Sequence, residues 1–246
     1  MKTIAWILAA AFFVLPAAAD DAPWTKRVTE TLALPDRPEK HEAMLALLRE
    51  ALPGITVRLS GSTHGEQVHP ADNQPAPVVN FDPYLNEKST YSANPRRLET
   101  SPAYYFVAQG KPYVVVGPNA LNPKSPVFTR LHAGHELFHA KHHLGDPRPL
   151  PDRELETWTH MVVTYFRDLI PFKQKWLPLI SFYGQSDESE QKAAVKKLVA
   201  FYRGADRDVQ IEFDQWLARR RKDSATSTSK LVADLGKPLA EKPAEP

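Results

Sequence analysis

Two histidines four residues apart restrict the structure of this chain more than any other feature of its 246 residues. They belong to the segment His135-Glu136-Leu137-Phe138-His139. On an α-helix, residues i and i+4 lie one turn apart on the same face, so both imidazoles can reach one metal ion. Glu136 is rotated by about 100° from His135, beside that ion, where it can act as a general base toward a metal-activated water. The alternative interpretation is a solvated histidine-rich helix without a metal.

The flanking residues favour a helix around this motif. Ser125 can cap a helix that has Pro126 at its first position, and Gly145 predicts an end near His143. The residues around the histidines are uncharged, which allows this helix to be buried: Gly134, Leu137, Phe138 and Ala140. We therefore expect the two histidines to lie in the interior rather than in solvent.

Together with a predicted β-hairpin before it and an acidic helix after it, the motif resembles that of the zincin metallopeptidases. The resemblance covers roughly residues 101–169. It implies a Zn²⁺ ion held by His135 and His139, with Glu136 as the general base of peptide-bond hydrolysis. In such sites a position of the metal stays open for a water whose pKa falls to roughly 7.

The third ligand separates the branches of that family. Metzincins have a glycine three residues and a histidine six residues after the second histidine of the motif, but this chain has His142 and Gly145 there. The resemblance is therefore to gluzincins, in which a glutamate on a following helix is the third ligand. The segment after the motif offers Glu154 and Glu156.

Helical periodicity favours Glu154 over Glu156. The predicted apolar stripe of their helix is formed by Leu155, Trp158, Val162, Tyr165 and Leu169. Glu154 lies about 50° from the centre of this stripe and Glu156 about 150° from it, so we expect Glu154 to face inward and Glu156 to face solvent. Glu156 and the neighbouring histidines remain alternatives, because only 14 residues separate His139 from Glu154 and the proline-rich segment 147–151 must turn the chain sharply.

Other residues are candidates for supporting roles. Three further histidines share the stripe of the motif and are alternative ligands or hydrogen-bond partners of ligands, with the first of them favoured: His132, His142 and His143. The candidates for stabilising an oxyanion are Tyr165, His160 and Tyr183. The strand near residues 113–117 is a candidate for pairing with an extended substrate.

Composition excludes several other classes of protein. The chain has no cysteine, so it has neither disulfides nor a thiolate metal site. Its 31 basic and 29 acidic residues nearly balance, which gives no indication of nucleic-acid binding. Hydrophobic residues make up 42%, enough for a packed core.

The two ends differ from the rest of the chain. Residues 1–19 read as a secretory signal peptide, with Lys2, an apolar run over 4–15 and the cleavage site Ala17-Ala18-Ala19. A run of this length is too short to span a bilayer of about 30 Å, so we expect an exported, periplasmic or secreted protein without stable membrane insertion after cleavage. Residues 222–246 are rich in Ser, Thr, Lys and Pro, which predicts a disordered tail.

Between these ends, residues 20–221 are predicted to form a single compact zincin-like domain of the α+β class. A helix is expected at 38–52, and a hairpin is expected from the runs "AYYFVA" and "PYVVVG". Consecutive helices follow, so the N-terminal half is strand-rich and the C-terminal half helical. The region 61–101 is irregular, and the oligomeric state is left open.

The sequence thus predicts an exported zinc metallopeptidase, an endopeptidase rather than an exopeptidase, that acts on peptides or proteins. The alternative is a non-catalytic metal-binding or interaction protein that retains a zincin-like fold. Glu136 separates the two, because metal binding alone requires no general base.

Overall fold

A computed structural model of the chain describes residues 22–61, 74–85, 102–170, 177–223 and 228–240. It is a mixed α+β structure, a small four-stranded sheet packed beside helices. The predicted signal peptide at 1–19 and most of the irregular region 61–101 lie outside the described residues. Within the described ranges, no helix combines the length and the apolar character needed to cross a membrane.

The chain begins with two helices, α1 (Ala22–Ala33) and α2 (Pro38–Ala51). The second confirms the predicted helix at 38–52, since its apolar positions Met44 and Leu48 are buried. The first was not predicted, because only Trp24 and Val28 are buried on it and two residues form no visible period.

A four-stranded sheet follows, formed by β1 (Val57–Leu59), β2 (Val79–Phe81), β3 (Ala103–Ala108) and β4 (Lys111–Val116). Its order is β1-β2-β4-β3, with β3 and β4 forming the predicted hairpin and the other neighbours running parallel. The hairpin turn holds Gln109 and Gly110 at positive φ. Among the described residues β3 is therefore an edge strand, whereas β4 has a neighbour on each side.

The motif lies on helix α3 (Pro126–His142), which is followed by α4 (Leu150–Leu169). As predicted, Ser125 caps α3, and its hydroxyl accepts a hydrogen bond from the backbone N–H of Val127. Helix α4 begins at Leu150, and the buried carboxylate of Asp152 in its first turn accepts a hydrogen bond from the backbone N–H of Asp187.

The C-terminal part is helical, with α5 (Leu177–Tyr183), α6 (Glu188–Gly204), α7 (Arg207–Asp223) and α8 (Thr228–Ala240). The expectation of a disordered tail over 222–246 is wrong for residues 228–240. Leu231 and Leu235 of α8 are fully buried, and Asp234 accepts a hydrogen bond from the Tyr183 hydroxyl at 2.5 Å. The composition of this segment did not indicate a helix, because its apolar residues are few and all lie on one face.

Helix α3 lies between two groups of packed apolar side chains. Ala133 and Ala140 pack with the sheet, α1 and α2, whereas Phe128 and Leu131 pack with the C-terminal helices. The motif is therefore held by both halves of the molecule.

Candidate metal centre

Three side chains meet between α3 and α4: His135, His139 and Glu154. The two Nε2 atoms are 3.1 Å apart. The Glu154 carboxylate places Oε2 at 3.2 Å from Nε2 of His135 and Oε1 at 3.4 Å from Nε2 of His139. Ligand atoms of a tetrahedral zinc with bonds of about 2.0–2.1 Å are about 3.3–3.4 Å apart, so this donor set fits zinc in both chemistry and spacing.

Helix geometry positions these groups as the sequence predicted. His135 and His139 lie on the same buried face of α3, with the side chains 10% and 7% exposed. Glu154 projects from the beginning of α4 toward them, and its side chain is 17% exposed. The two histidines hold the pKa of Glu154 far below its usual range by hydrogen bonds and by charge, against the opposing effect of burial.

The other side of His139 is occupied by His143. The two Nδ1 atoms are 2.6 Å apart, and Nε2 of His143 lies 3.3 Å from Oε2 of Glu156. Burial lowers the pKa of His143, which keeps this imidazole neutral at pH 7. Because the carboxylate can only accept, Nε2 of His143 carries the proton and Nδ1 accepts from Nδ1–H of His139. With Nδ1–H bonded to His143, Nε2 is the nitrogen of His139 that would face a metal ion.

Glu156 does not face solvent, contrary to the prediction from periodicity. Its side chain is 23% exposed, and Nη2 of Arg148 donates to its Oε2 at 2.7 Å. The same guanidinium contacts Asp146 and Glu190. Burial opposes ionisation of Glu156, but Arg148 and then His143 outweigh it and lower the pKa of Glu156 to about 2. Glu156 is thus not a member of the triad but holds His143, which is the hydrogen-bond partner of His139.

His135 has different surroundings. Its Nδ1 is buried and has no hydrogen-bond partner among the described residues. The indole of Trp158 packs against its ring at a centroid distance of 4.7 Å. Among the described residues, His135 is therefore positioned by packing rather than by a polar network.

Glu136 lies between the motif helix and strand β3. Burial raises its pKa to about 8, and the charge of Glu154 adds to this effect. The charge of His139 and a hydrogen bond from the backbone N–H of Tyr105 oppose it. A carboxyl group with a pKa near neutrality can accept a proton and return it, as a general base must.

The open edge of β3 runs beside Glu136. Gly117 donates a backbone hydrogen bond to Pro102, so alternation along the hairpin turns the N–H of Tyr105 away from β4. The predicted substrate strand near residues 113–117 is wrong, because β4 is already paired with β2 and β3. If an extended peptide joins the sheet at this site, β3 offers the free edge.

The three predicted oxyanion donors have other contacts in the structure. Tyr183 donates its hydroxyl hydrogen to Asp234, and His160 stacks on Phe138. The hydroxyl of Tyr165 lies against Gly134, where an added Cβ would approach it to 3.1 Å. Aromatic residues on these helices serve packing, as aromatic side chains in helices commonly do.

Sequence reasoning missed two residues near the triad. The ring of Tyr105 stacks on that of His139, with centroids 6.1 Å apart and planes 18° apart. Arg148 anchors the support of His139 from within the proline-rich connection. No pattern in the sequence predicts the contacts between β3 and α3. By contrast, the opposite charges of Asp146, Arg148 and Glu156 lie close together in the sequence and could have indicated an ion pair.

The chain matches no protein-family model, no curated protein sequence and no solved structure. The resemblance to zincins therefore depends on the motif and on the geometry of the triad, and it stays a proposal.

Proposed function

We propose that this protein is a zinc metallopeptidase of the zincin type with a gluzincin-like ligand set. The observation that carries the proposal is the convergence of His135, His139 and Glu154 at separations of 3.1–3.4 Å, with Glu136 on the next residue of the same helix. Glu154 rather than Glu156 is the proposed third ligand. The predicted signal peptide at 1–19 supports export.

The residues divide the chemistry among them. His135, His139 and Glu154 would hold the zinc ion, which supplies Lewis acidity toward the peptide carbonyl and toward a water. Glu136 takes the proton from the attacking water and returns it to the nitrogen of the leaving amine. In the protein without an ion, burial raises the pKa of Glu136 to about 8, which supports a carboxyl group that can both accept and return a proton.

The free edge of β3 supports a peptide as the substrate. An extended chain that pairs with the outward-facing backbone groups of Val107 and with the carbonyl of Tyr105, whose N–H already donates to Glu136, would run past Glu136. Main-chain pairing requires no chain terminus, so this arrangement is consistent with an endopeptidase.

The decisive experiment compares the wild type with Glu136→Gln. We expect both proteins to contain one zinc per chain by elemental mass spectrometry. The wild type should cleave casein and quenched peptides, and Glu136→Gln should lower kcat by about 10²–10⁴-fold because it cannot accept a proton.

The matched control is Glu39→Gln, which changes an exposed glutamate on α2 and should leave kcat unchanged. Cleavage that survives in Glu136→Gln contradicts the proposal. A wild type that binds zinc but cleaves neither casein nor the peptide library favours the non-catalytic metal-binding protein instead.

A further inference from the structure

Beside the triad lies an arginine, Arg153, that forms no ion pair with any of the described residues. Arg153 is the fourth residue of α4, directly before Glu154, and its side chain is partly buried. Its Nε is buried and has no hydrogen-bond acceptor, and no ion pair to Arg153 is found within the described ranges. A buried guanidinium nitrogen that lacks an acceptor is unfavourable unless something else binds it.

The position of Arg153 is unfavourable for a second reason. The first turn of a helix carries partial positive charge, which repels a cation. Arg167 on the same helix shows the ordinary arrangement: it lies in the last turn and pairs with Asp206 and Asp208. Arg153 therefore has neither the favourable position at a helix C-terminus nor the acidic partners that Arg167 has. Residues that depart from such rules are often found at functional sites.

The surroundings of Arg153 connect it to the candidate active site. Its charge acts on the phenol of Tyr105, whose pKa is raised by burial and lowered in part by this charge. The ring of Tyr105 stacks on the proposed ligand His139, and its backbone N–H contacts Glu136. A substrate that pairs with β3 at Tyr105 would therefore pass close to the guanidinium.

We propose that Arg153 binds a carboxylate of the peptide substrate next to the scissile bond, so that the enzyme prefers acidic peptides. This inference rests on the proposed peptidase function. A guanidinium binds a carboxylate through two parallel N–H···O bonds, which gives position as well as affinity. The bound carboxylate supplies the counter-charge that Arg153 lacks in the part of the chain that the structure describes.

Two sources offer such a carboxylate: the side chain of Asp or Glu, and the C-terminus of the peptide. Quenched peptides that differ only by Glu or Gln at each position around the cleaved bond test the first source. The same peptides with a free or an amidated C-terminus test the second.

For wild-type protein we expect kcat/KM to be about 10- to 100-fold higher for the carboxylate-bearing peptide of one such pair, mostly through KM. In Arg153→Gln this ratio should fall toward one, and in Arg153→Glu it should invert in favour of a Lys-containing peptide. Arg153→Gln should also melt no lower than the wild type, because it removes an uncompensated cation. A purely structural arginine would give the opposite result, a lower melting temperature with an unchanged ratio.

The matched control is Arg167→Gln, which should keep the wild-type ratio because Arg167 lies at the other end of α4 and pairs with Asp206 and Asp208. If the wild type cleaves peptides without any preference for a carboxylate, or if Arg153→Gln keeps the preference, this inference is wrong while the peptidase proposal stands. If the wild type cleaves no peptide at all, the peptidase proposal itself fails.

Discussion

The surroundings of the two histidines of the motif differ, although one turn of helix separates them. Behind His139 lies a polar chain in which His143, Glu156 and Arg148 are joined by hydrogen bonds. Behind His135 lies the indole of Trp158, and Nδ1 has no acceptor within the described part of the chain. His139 is thus oriented by hydrogen bonds, whereas His135 is oriented by packing against an aromatic ring.

This difference assigns separate tasks to the two sides. A hydrogen bond to the outer nitrogen of a ligand histidine fixes its tautomer and raises its basicity, whereas an aromatic neighbour fixes only the ring plane. We infer that affinity for the metal depends more on the polar side, at His139, than on the aromatic side, at His135. Three pairs of matched substitutions, from the largest expected effect to the smallest, test these assignments.

Removal of the carboxylate shared by both histidines should have the largest effect. Glu154→Ala should lower zinc affinity by at least about 100-fold, beyond the 10–100-fold that outer-shell partners contribute, because it deletes a ligand. Competition with a chromogenic chelator measures this affinity. Glu156→Ala is the matched control and should still retain stoichiometric zinc, so the reverse result would show that the two glutamates have been assigned in the wrong order.

Removal of the polar support should have an intermediate effect. His143→Phe keeps a buried ring of similar size but takes away the acceptor for Nδ1–H of His139, so zinc affinity should fall by about 10–100-fold. On the other side of the site, Trp158→Phe keeps an aromatic neighbour for His135 and should change affinity by less than about threefold. Equal losses of zinc affinity in the two variants would contradict the inferred difference between His139 and His135.

Removal of the Asp146 carboxylate, which holds Arg148 in place, should have the smallest effect. This effect is on folding stability rather than on zinc affinity. Hydrogen bonds from Arg148 hold the pKa of Asp146 at about 2, below its ordinary value of 3.8. Because the folded-state pKa is lowered, this pair stabilises the fold fully above pH 4, and the stabilisation is lost as the pH falls toward 2. Asp146→Asn should therefore lower the free energy of unfolding of the zinc-free protein by about 1–2 kcal/mol at pH 7.

Urea denaturation at a series of pH values measures this difference, which should narrow steadily below pH 4. Asp206→Asn is the control, because its ion pair with Arg167 is exposed and should contribute less than about 0.5 kcal/mol. A difference between wild type and Asp146→Asn that stays constant from pH 7 to pH 2.5 would contradict the assignment of the pair.

Local sequence signals predicted the motif helix and the third member of the triad. Ser125 and Pro126 mark the start of α3, and the stripe of α4 is periodic enough to place Glu154 on the inner face. The same periodicity misplaced Glu156, because a helical wheel describes the distance from an apolar stripe and not the polar partners that cover the other face. Arg148 approaches Glu156 from a loop, and loops have no period.

Contacts between distant segments could not be predicted. Tyr105 is 34 residues before His139 in sequence, and its stacking on this histidine depends on how the hairpin packs against α3. Nor could the order of strands in the sheet be read from a single hairpin, since β2 inserts beside β4 from a separate part of the chain. Long-range pairing of this kind is set by packing of the whole molecule.

The burial of α8 has a practical consequence for anyone who trims the chain. Composition suggests a boundary near residue 221, yet a protein shortened there would lose Leu231 and Leu235 and leave the apolar faces that they cover in contact with water. Tyr183 would also lose Asp234, the acceptor for its hydroxyl. Such a shortened protein should expose an apolar surface and aggregate at concentrations at which the longer chain stays in solution. A protein prepared for expression and crystallisation should therefore include residues through at least 240.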